Sequence, residues 1–209
     1  MKMNLPNKLT VLRLCLVPVI LLVGMLPESV IPFYLSCFLC AALFIGTSIT
    51  DMLDGKIARR DNLITDFGKF LDPVADKFMV IGALFVILYK FENLRLLMIF
   101  TLIIVVFREL AVTSMRLVVS TGEGIVVAAN SLGKIKTVSQ VVAISTVFLE
   151  PVVQLIAKSI IEAVKGISLS WTTDVLPLTW ITVIFSLIMT VWSGVNYIKS
   201  YWKYLDPEK

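Results

Sequence analysis

The residues at positions 31–49, IPFYLSCFLCAALFIGTSI, form an apolar run that contains no charged side chain. A helix needs about 20 apolar residues to cross the hydrocarbon core of a bilayer, so this run has the length of one membrane span. The whole chain has the same character, since 58% of its 209 residues are apolar and its mean hydropathy is +0.92. Soluble domains average about 45–50% apolar residues. The sequence therefore predicts a membrane protein.

Five further apolar stretches flank this run, and proline or glycine residues fall between them, as expected of loops. The stretch at 78–89 is too short to cross a bilayer unless its helix begins near Asp72, with Asp72 and Asp76 facing protein or water. We predict an all-α membrane protein with six transmembrane helices in a single domain, residues 1–209, and an amphipathic juxtamembrane segment at residues 1–10. The apolar stretches are 11–26, 31–49, 78–89, 96–119, 138–156 and 178–198.

The basic residues predict the orientation of these helices. Lys and Arg are concentrated in the loops that lie on the same side as the N-terminus, so the positive-inside rule places both termini and the 51–76 segment in the cytoplasm. The net charge of +4, from 19 basic and 15 acidic residues, suits anionic lipid headgroups and gives no argument for nucleic acid. The absence of histidine excludes His-based catalytic triads and His metal ligands.

An acidic segment, TDMLDGKIARRDNLITDFGKFLDPVADK at 50–77, joins the second and third predicted helices. Asp51 and Asp54 are three residues apart and Asp72 and Asp76 are four apart, so each pair occupies one helix face. Two carboxylates about 5 Å apart repel by roughly 3 kcal/mol at an effective dielectric constant of 20. Protons or cations must therefore neutralise the four, and all-oxygen ligation favours Mg²⁺, Mn²⁺ or Ca²⁺. Four carboxylates can hold two ions about 4 Å apart, as in phosphoryl-transfer sites.

Small and polar residues surround these acids. Gly55, Gly68 and Ala58 allow close approach of a ligand to the backbone, Arg59 can bind a phosphate through two parallel hydrogen bonds, and Thr65 adds a hydroxyl. Together they predict a notch that fits a pyrophosphate. The alternative is a solvated, charged loop with no chemistry.

Other polar residues lie near the N-terminus and in the fourth stretch. Asn7 and Thr10 are typical helix caps, whereas Arg13 can reach a lipid phosphate or a substrate headgroup. Arg108 lies inside an apolar run, where an unpaired arginine costs about 2.5–3.5 kcal/mol. Its neighbour Glu109 is expected to point away from it. We predict an anion pocket formed by Arg108, Arg116, Lys134 and Lys136; structural pairing of Arg108 and positive-inside roles for the other three remain alternatives.

These motifs resemble the CDP-alcohol phosphatidyltransferase family, whose pattern is D-x-x-D-G-x-x-A-R followed, after a spacer, by G-x-x-x-D-x-x-x-D. Within the family the chain is most similar to the bacterial enzymes that use glycerol 3-phosphate as the acceptor, through PNKLTVLR at 6–13, FREL at 107–110 and SLGKIKTVSQ at 131–140. The resemblance extends from about Asn4 to Val142. The core pattern is matched without a gap by Asp51, Asp54, Gly55, Ala58, Arg59, Gly68, Asp72 and Asp76.

The resemblance implies a reaction in which an alcohol attacks CDP-diacylglycerol and CMP leaves. It implies that Asp51, Asp54 and Asp72 bind Mg²⁺ or Mn²⁺ and that Asp76 acts as the general base beside a second ion. It also implies a homodimer in the bacterial cell membrane. The residues that it assigns to the CDP-lipid are Pro6, Asn7, Thr10, Arg13, Gly55, Ala58, Arg59, Thr65 and Gly68.

Other functions remain open at this point. A transferase of the same family could use inositol phosphate, serine or phosphatidylglycerol as its acceptor. An ion transporter would also contain intramembrane charges, but here the acids cluster towards one membrane face and the sequence shows no repeated halves. A structural membrane protein leaves the four aspartates unexplained.

Overall fold

The computed structural model describes residues 4–60, 65–122, 131–165 and 175–202, and its regular structure in these ranges is entirely helical. The predicted all-α class is therefore confirmed. A short 3₁₀ turn at Glu92–Leu94 precedes the fourth helix. The helices are α1 (Leu5–Met25), α2 (Phe33–Arg60), α3 (Asp66–Lys90), α4 (Arg95–Gly122), α5 (Ser131–Lys165) and α6 (Pro177–Tyr201).

Five helices in the described ranges are long and apolar enough to cross a membrane, namely all but α3. The apolar part of α3 follows Lys77, and a polar half that carries Asp72 and Asp76 precedes it. Large apolar side chains such as Phe107, Leu117 and Ile181 face outwards. In a protein without a bilayer these exposed surfaces would be costly, so they indicate contact with lipid.

Around the bundle the helices pack in the order α1, α2, α5, α6, α4 and α3, and α3 packs against α1 to close the ring. Helix α1 thus lies between α2 and α3. It runs antiparallel to α2 and parallel to α3. The parallel pair is close: a Cβ on Gly82 of α3 would lie 2.8 Å from Cγ1 of Val17 on α1. A larger residue at position 82 would therefore force the Val17 side chain or the helices to shift.

Local capping fixes where α1 and α3 begin, and one predicted boundary, the start of α3, is wrong. The side chain of Asn4 caps a helix that begins at Leu5, so the described part of the predicted juxtamembrane segment is continuous with α1. Likewise α3 begins at Asp66 and not near Asp72, because the Thr65 hydroxyl accepts the Gly68 N–H at 3.1 Å. Pro73 therefore lies inside α3, where it removes one backbone hydrogen bond without ending the helix.

Candidate active site

Arg13 lies at the centre of the acidic residues that the sequence singles out. Its guanidinium contacts the carboxylates of Asp51 at 2.6 Å, Asp54 at 2.5 Å and Asp76 at 2.9 Å. The Arg13 side chain is 1% exposed, whereas those of Asp51 and Asp76 are 40% and 50% exposed. The three carboxylates therefore share one buried cation, and those of Asp51 and Asp76 stay open on their outer side, whereas Asp54 is buried.

The order of the helices explains this arrangement. Asp51 and Asp54 lie on one face of α2, and Asp76 lies on α3. Because α1 packs between these two helices, a long side chain on α1 reaches both. The carboxylates of α2 and α3 are thus brought together, as expected, but through Arg13 of α1, which lies between the two helices. The set Arg13, Asp51, Asp54, Asp72 and Asp76 is called the acidic site below.

The fourth aspartate, Asp72, is bound by a hydroxyl group. Oγ1 of Thr10 donates to Oδ1 of Asp72 at 2.6 Å, and the Asp72 side chain is exposed. Thr10 precedes Arg13 by about one helical turn, as Asp72 precedes Asp76. The parallel helices α1 and α3 are therefore joined by two successive polar contacts, which fix the position of Asp72 relative to Asp76.

A third contact between α1 and α3 lies one turn earlier. The side-chain amide of Asn7 donates to Oγ1 of Thr65 at 2.9 Å. A Cβ on Gly68 would lie only 2.9 Å from Oδ1 of Asn7, so a larger residue at position 68 would displace the Asn7 side chain from this contact. Asn7 was expected to cap a helix, and that expectation is wrong, because Asn4 caps α1 and leaves the Asn7 side chain to bind α3. Pro6 is buried in the first turn of α1.

The predicted pyrophosphate notch is described in part. Gly55 follows Asp54 on α2 and is half-buried. Thr65 and Gly68 lie at the start of α3, where a Cβ on Gly68 would be 3.9 Å from Oδ2 of Asp72. These residues are close to the acidic site. The side chains of Ala58 and Arg59, in the last turn of α2, lie outside the described part of the structure.

A second charged cluster lies among α4, α5 and α6. Oε1 of Glu109 accepts hydrogen bonds from Nη1 of Arg108 at 3.0 Å and from Nζ of Lys136. Nη2 of Arg108 donates to Oγ of Ser193 at 2.8 Å. The three charged side chains are mostly buried, with exposed fractions of 13% for Arg108, 16% for Glu109 and 7% for Lys136. One carboxylate oxygen thus joins two buried cations from two helices.

The expectation that Arg108 and Glu109 point apart is wrong. The Cα–Cβ bonds of adjacent helical residues do diverge. Both side chains are long, however, and they bend into the same groove, where Lys136 of α5 and Ser193 of α6 supply partners. A buried arginine requires such partners because its charge is costly inside a membrane protein.

Sequence reasoning missed Lys77, which belongs to the same cluster. Its Nζ donates to Oγ1 of Thr113 at 2.6 Å, and that hydroxyl donates to the backbone carbonyl oxygen of Glu109 at 2.7 Å. Lys77 directly follows Asp76, so consecutive residues of α3 enter the two charged regions. The sequence signal that could have identified Lys77 is its place immediately after Asp76, the last aspartate of the motif. Arg108, Glu109, Lys136 and Lys77 are called the basic cluster below.

The other two predicted cations lie elsewhere. Lys134 is exposed and lines an apolar groove of about 520 Å³ on the outer face of α5 and α6. It precedes Lys136 by two residues, which places it on nearly the opposite side of the helix. Arg116 donates from Nε to the Tyr197 hydroxyl at 2.7 Å and lies over that ring. The structure therefore joins Arg108 and Lys136 and leaves Lys134 and Arg116 outside the cluster.

The charges of the acidic site fit hard cations. Four ionised aspartates and one arginine leave three uncompensated negative charges. In the described residues no three acidic side chains already form a metal-ligand set. The available donors are all carboxylate oxygens, which Mg²⁺ and Mn²⁺ prefer.

The apolar helices define a membrane-embedded class of protein, in which an open acidic site lies beside a buried basic cluster. Residues 3–192 match the family model for CDP-alcohol phosphatidyltransferase. The chain belongs to this family.

Curated relatives from several bacteria are similar along most of their length. The chain is 45% identical over 156 residues to a Bacillus subtilis protein, covering 70% of this chain and 77% of that one. It is 38% identical over 146 residues to a Rickettsia felis protein, covering 70% and 75%. An Escherichia coli protein is 31% identical over 201 residues, or 96% of both chains. All three are named CDP-diacylglycerol–glycerol-3-phosphate 3-phosphatidyltransferase.

Proposed function

We propose that this protein transfers the phosphatidyl group of CDP-diacylglycerol to glycerol 3-phosphate, with phosphatidylglycerol phosphate and CMP as products. The observation that carries the proposal is the pair Asp76 and Lys77 on α3. Asp76 contacts Arg13 in the acidic site, and Lys77 belongs to the basic cluster, where it binds Thr113. An acceptor whose phosphate lies in the basic cluster would present its hydroxyl group towards Asp76. The names of the relatives support the same reaction.

The acidic site would hold two Mg²⁺ or Mn²⁺ ions through Asp51, Asp54, Asp72 and Asp76. When bound, such ions neutralise a pyrophosphate and stabilise the phosphate of the leaving CMP. Thr10 already holds one oxygen of Asp72, which orients that carboxylate. Gly55, Thr65 and Gly68 would line the space for the CDP group, together with Ala58 and Arg59 at the end of α2.

The chemistry requires one proton acceptor and one leaving group. The hydroxyl oxygen of the acceptor attacks the phosphorus that carries diacylglycerol, and Asp76 accepts the hydroxyl proton. The bond between this phosphorus and the bridging oxygen breaks, and its electron pair leaves with CMP. Asp76 is half-exposed, so an acceptor can reach its carboxylate from the open side of the site.

The basic cluster favours a phosphorylated acceptor over a neutral one. Arg108 and Lys136 are mostly buried and converge on a single oxygen atom of Glu109, an arrangement that also suits a phosphate oxygen. Serine carries a carboxylate but no phosphate, so it would offer these donors one negative charge instead of the two of a phosphate monoester. Inositol phosphate and phosphatidylglycerol carry phosphate, so the assay must discriminate between them and glycerol 3-phosphate.

The proposed enzyme is a homodimer in the bacterial plasma membrane, with both termini and the active site facing the cytoplasm. In this arrangement α3 is a sixth span whose polar half faces α1. Contacts of Asp72 with Thr10 and of Asp76 with Arg13 support this, because they turn the charges of α3 away from lipid.

The direct test follows CMP release by the purified protein from CDP-diacylglycerol and Mg²⁺ or Mn²⁺. The acceptors to compare are glycerol 3-phosphate, inositol phosphate, serine and phosphatidylglycerol, with EDTA as the control for metal. We expect release with glycerol 3-phosphate and none in EDTA. The absence of CMP with every acceptor would refute the transferase activity, whereas release only with inositol phosphate would refute the acceptor assignment.

A further inference from the structure

Glu109 occupies the place where an acceptor phosphate would bind. A single oxygen atom of its carboxylate accepts hydrogen bonds from both Arg108 and Lys136. These two cations come from α4 and α5, and both are mostly buried. A phosphate oxygen placed between them would compete for the same donor groups. The basic cluster therefore already contains an anion of its own.

Arg108 has donor capacity that these contacts do not use. In the described part of the chain, its Nε is buried and has no hydrogen-bond partner, although Nη1 and Nη2 are engaged. A guanidinium offers five N–H groups in one plane. An unpaired donor is costly at a buried position, and a phosphate group with several acceptor oxygens would satisfy it.

The charge of the basic cluster also matches a phosphate group. Arg108, Lys136 and Lys77 contribute three positive charges, and Glu109 contributes one negative charge. The formal sum of +2 equals the charge needed to neutralise a phosphate monoester dianion. Arg116 does not add to this sum at close range, because it is bound to Tyr197.

We propose that Glu109 is an internal counter-ion that binds Arg108 and Lys136 while the acceptor site is empty and gives way to the acceptor phosphate. The proposal deepens the proposed function and rests on an acceptor that carries a phosphate monoester. Glu109 keeps two buried cations paired when no substrate is present, which a membrane interior requires. It also weakens the binding of phosphate, through competition for donors and through like-charge repulsion, and so assists release of the phosphorylated product.

The test measures phosphate binding without catalysis. The thermal unfolding midpoint of the full-length protein in detergent is followed as inorganic phosphate is added, with potassium chloride of equal ionic strength as the reference. Three proteins are compared: the native chain, Glu109→Gln and Glu150→Gln. Glu150 is a matched control, since it is also buried but accepts the backbone N–H groups of Leu178 and Thr179 at the start of α6.

Both variants should unfold at a lower temperature than the native chain when phosphate is absent. Phosphate should bind Glu109→Gln at least about tenfold more tightly than the native chain, because a nearby like charge is removed. Its affinity for Glu150→Gln should equal that for the native chain. Unchanged or weaker binding of phosphate by Glu109→Gln would overturn the proposal and would make Glu109 a positioning residue for Arg108 and Lys136.

A second comparison covers the case in which Glu109→Gln does not fold. Two variants are compared, Lys136→Gln and Glu109→Gln/Lys136→Gln. Both lack the cation Lys136, and only the double variant also lacks the counter-ion Glu109. Phosphate should bind the double variant more tightly than Lys136→Gln, and the reverse order would refute competition by Glu109. CMP release from the native chain with glycerol 3-phosphate is measured separately, so that failure of the transferase activity is distinguished from failure of this proposal.

Discussion

Arg13 and Glu109 have equivalent roles in two regions of opposite charge, because each is the counter-ion at the centre of its region. Arg13 is one cation among four carboxylates, and Glu109 is one carboxylate among three cations. Both are mostly buried, and each joins charged groups from more than one helix. The regions differ in what remains uncompensated: a formal charge of −3 in the acidic site and of +2 in the basic cluster. The first suits metal ions, and the second suits a phosphate dianion.

The two regions also differ in access. Asp51, Asp72 and Asp76 are half-exposed or exposed, whereas Arg108, Glu109 and Lys136 are at least four-fifths buried. A site for metal ions and a bulky CDP group needs an opening, while a phosphate of the acceptor can bind in a narrower space. Adjacent residues of α3 connect the two regions, so the comparison can be tested one residue at a time.

The largest effect is expected for Asp76→Asn. The amide has nearly the same size but cannot accept the proton of the acceptor, so CMP release should fall by at least about 10²–10⁴-fold, with CDP-diacylglycerol binding largely retained. The same change at Asp66, which is exposed in the first turn of α3, should leave the rate within about twofold of the native value. Comparable losses in both variants would remove Asp76 from the chemistry.

Arg13→Gln should have the next largest effect, and it should act first on stability. Removing the cation leaves buried and half-buried carboxylates unpaired, which costs about 3–5 kcal/mol of unfolding free energy for a buried pair. Mn²⁺ should restore more of the unfolding temperature in this variant than in the native chain. Arg95→Gln is the control, because Arg95 pairs with Glu92 on the surface. If Mn²⁺ raised the unfolding temperature of Arg13→Gln and of the native chain equally, Arg13 and the metal ions would not bind the same carboxylates.

Arg108→Ala should discriminate between the two substrates. The KM for glycerol 3-phosphate should rise about 10-fold or more, while the KM for CDP-diacylglycerol should change by less than about threefold, since the lost contact corresponds to about 1.5–3 kcal/mol. Arg116→Ala, on the same helix but bound to Tyr197, should change both values little. Equal increases for both substrates in Arg108→Ala would argue for a structural role.

The smallest effect is expected for Gly68→Ala, which tests how closely α1 approaches α3. The added Cβ would lie 2.9 Å from Oδ1 of Asn7, and relief of this overlap should cost about 1–3 kcal/mol of stability. Gly46→Ala is the matched control on α2, because a Cβ at that position meets no atom within 4 Å. It should be neutral or slightly stabilising. Equal losses of stability in the two variants would show that the Asn7 contact does not limit how closely α1 packs against α3.

Much of the acidic site could be predicted, because the spacing of its aspartates within each helix can be read from short stretches of sequence. The spacings of Asp51 with Asp54 and of Asp72 with Asp76 define helix faces in any helix. The central role of Arg13 could not be predicted in this way, because it depends on α1 packing between two helices that are distant in sequence. The N-caps Asn4 and Thr65 could not be predicted either, since several residues nearby are capable of capping.

The basic cluster was predicted less well for two different reasons. Lys134 and Lys136 were assigned to one pocket, although the helical period alone places them on nearly opposite faces. That error was avoidable. The contact between Arg108 and Glu109 was not predictable from spacing, because the reach and bending of long side chains depend on the partners that α5 and α6 provide.

The measurement that tests the central claim most directly compares CMP release from CDP-diacylglycerol with glycerol 3-phosphate and with glycerol, at equal concentrations and in the presence of Mg²⁺. The two acceptors share the attacking hydroxyl, and they differ in the phosphate that the basic cluster would bind. The account predicts that kcat/KM for glycerol 3-phosphate exceeds that for glycerol by at least about 10²-fold, since charge-assisted contacts contribute about 1.5–3 kcal/mol each. Equal values for the two acceptors would contradict it.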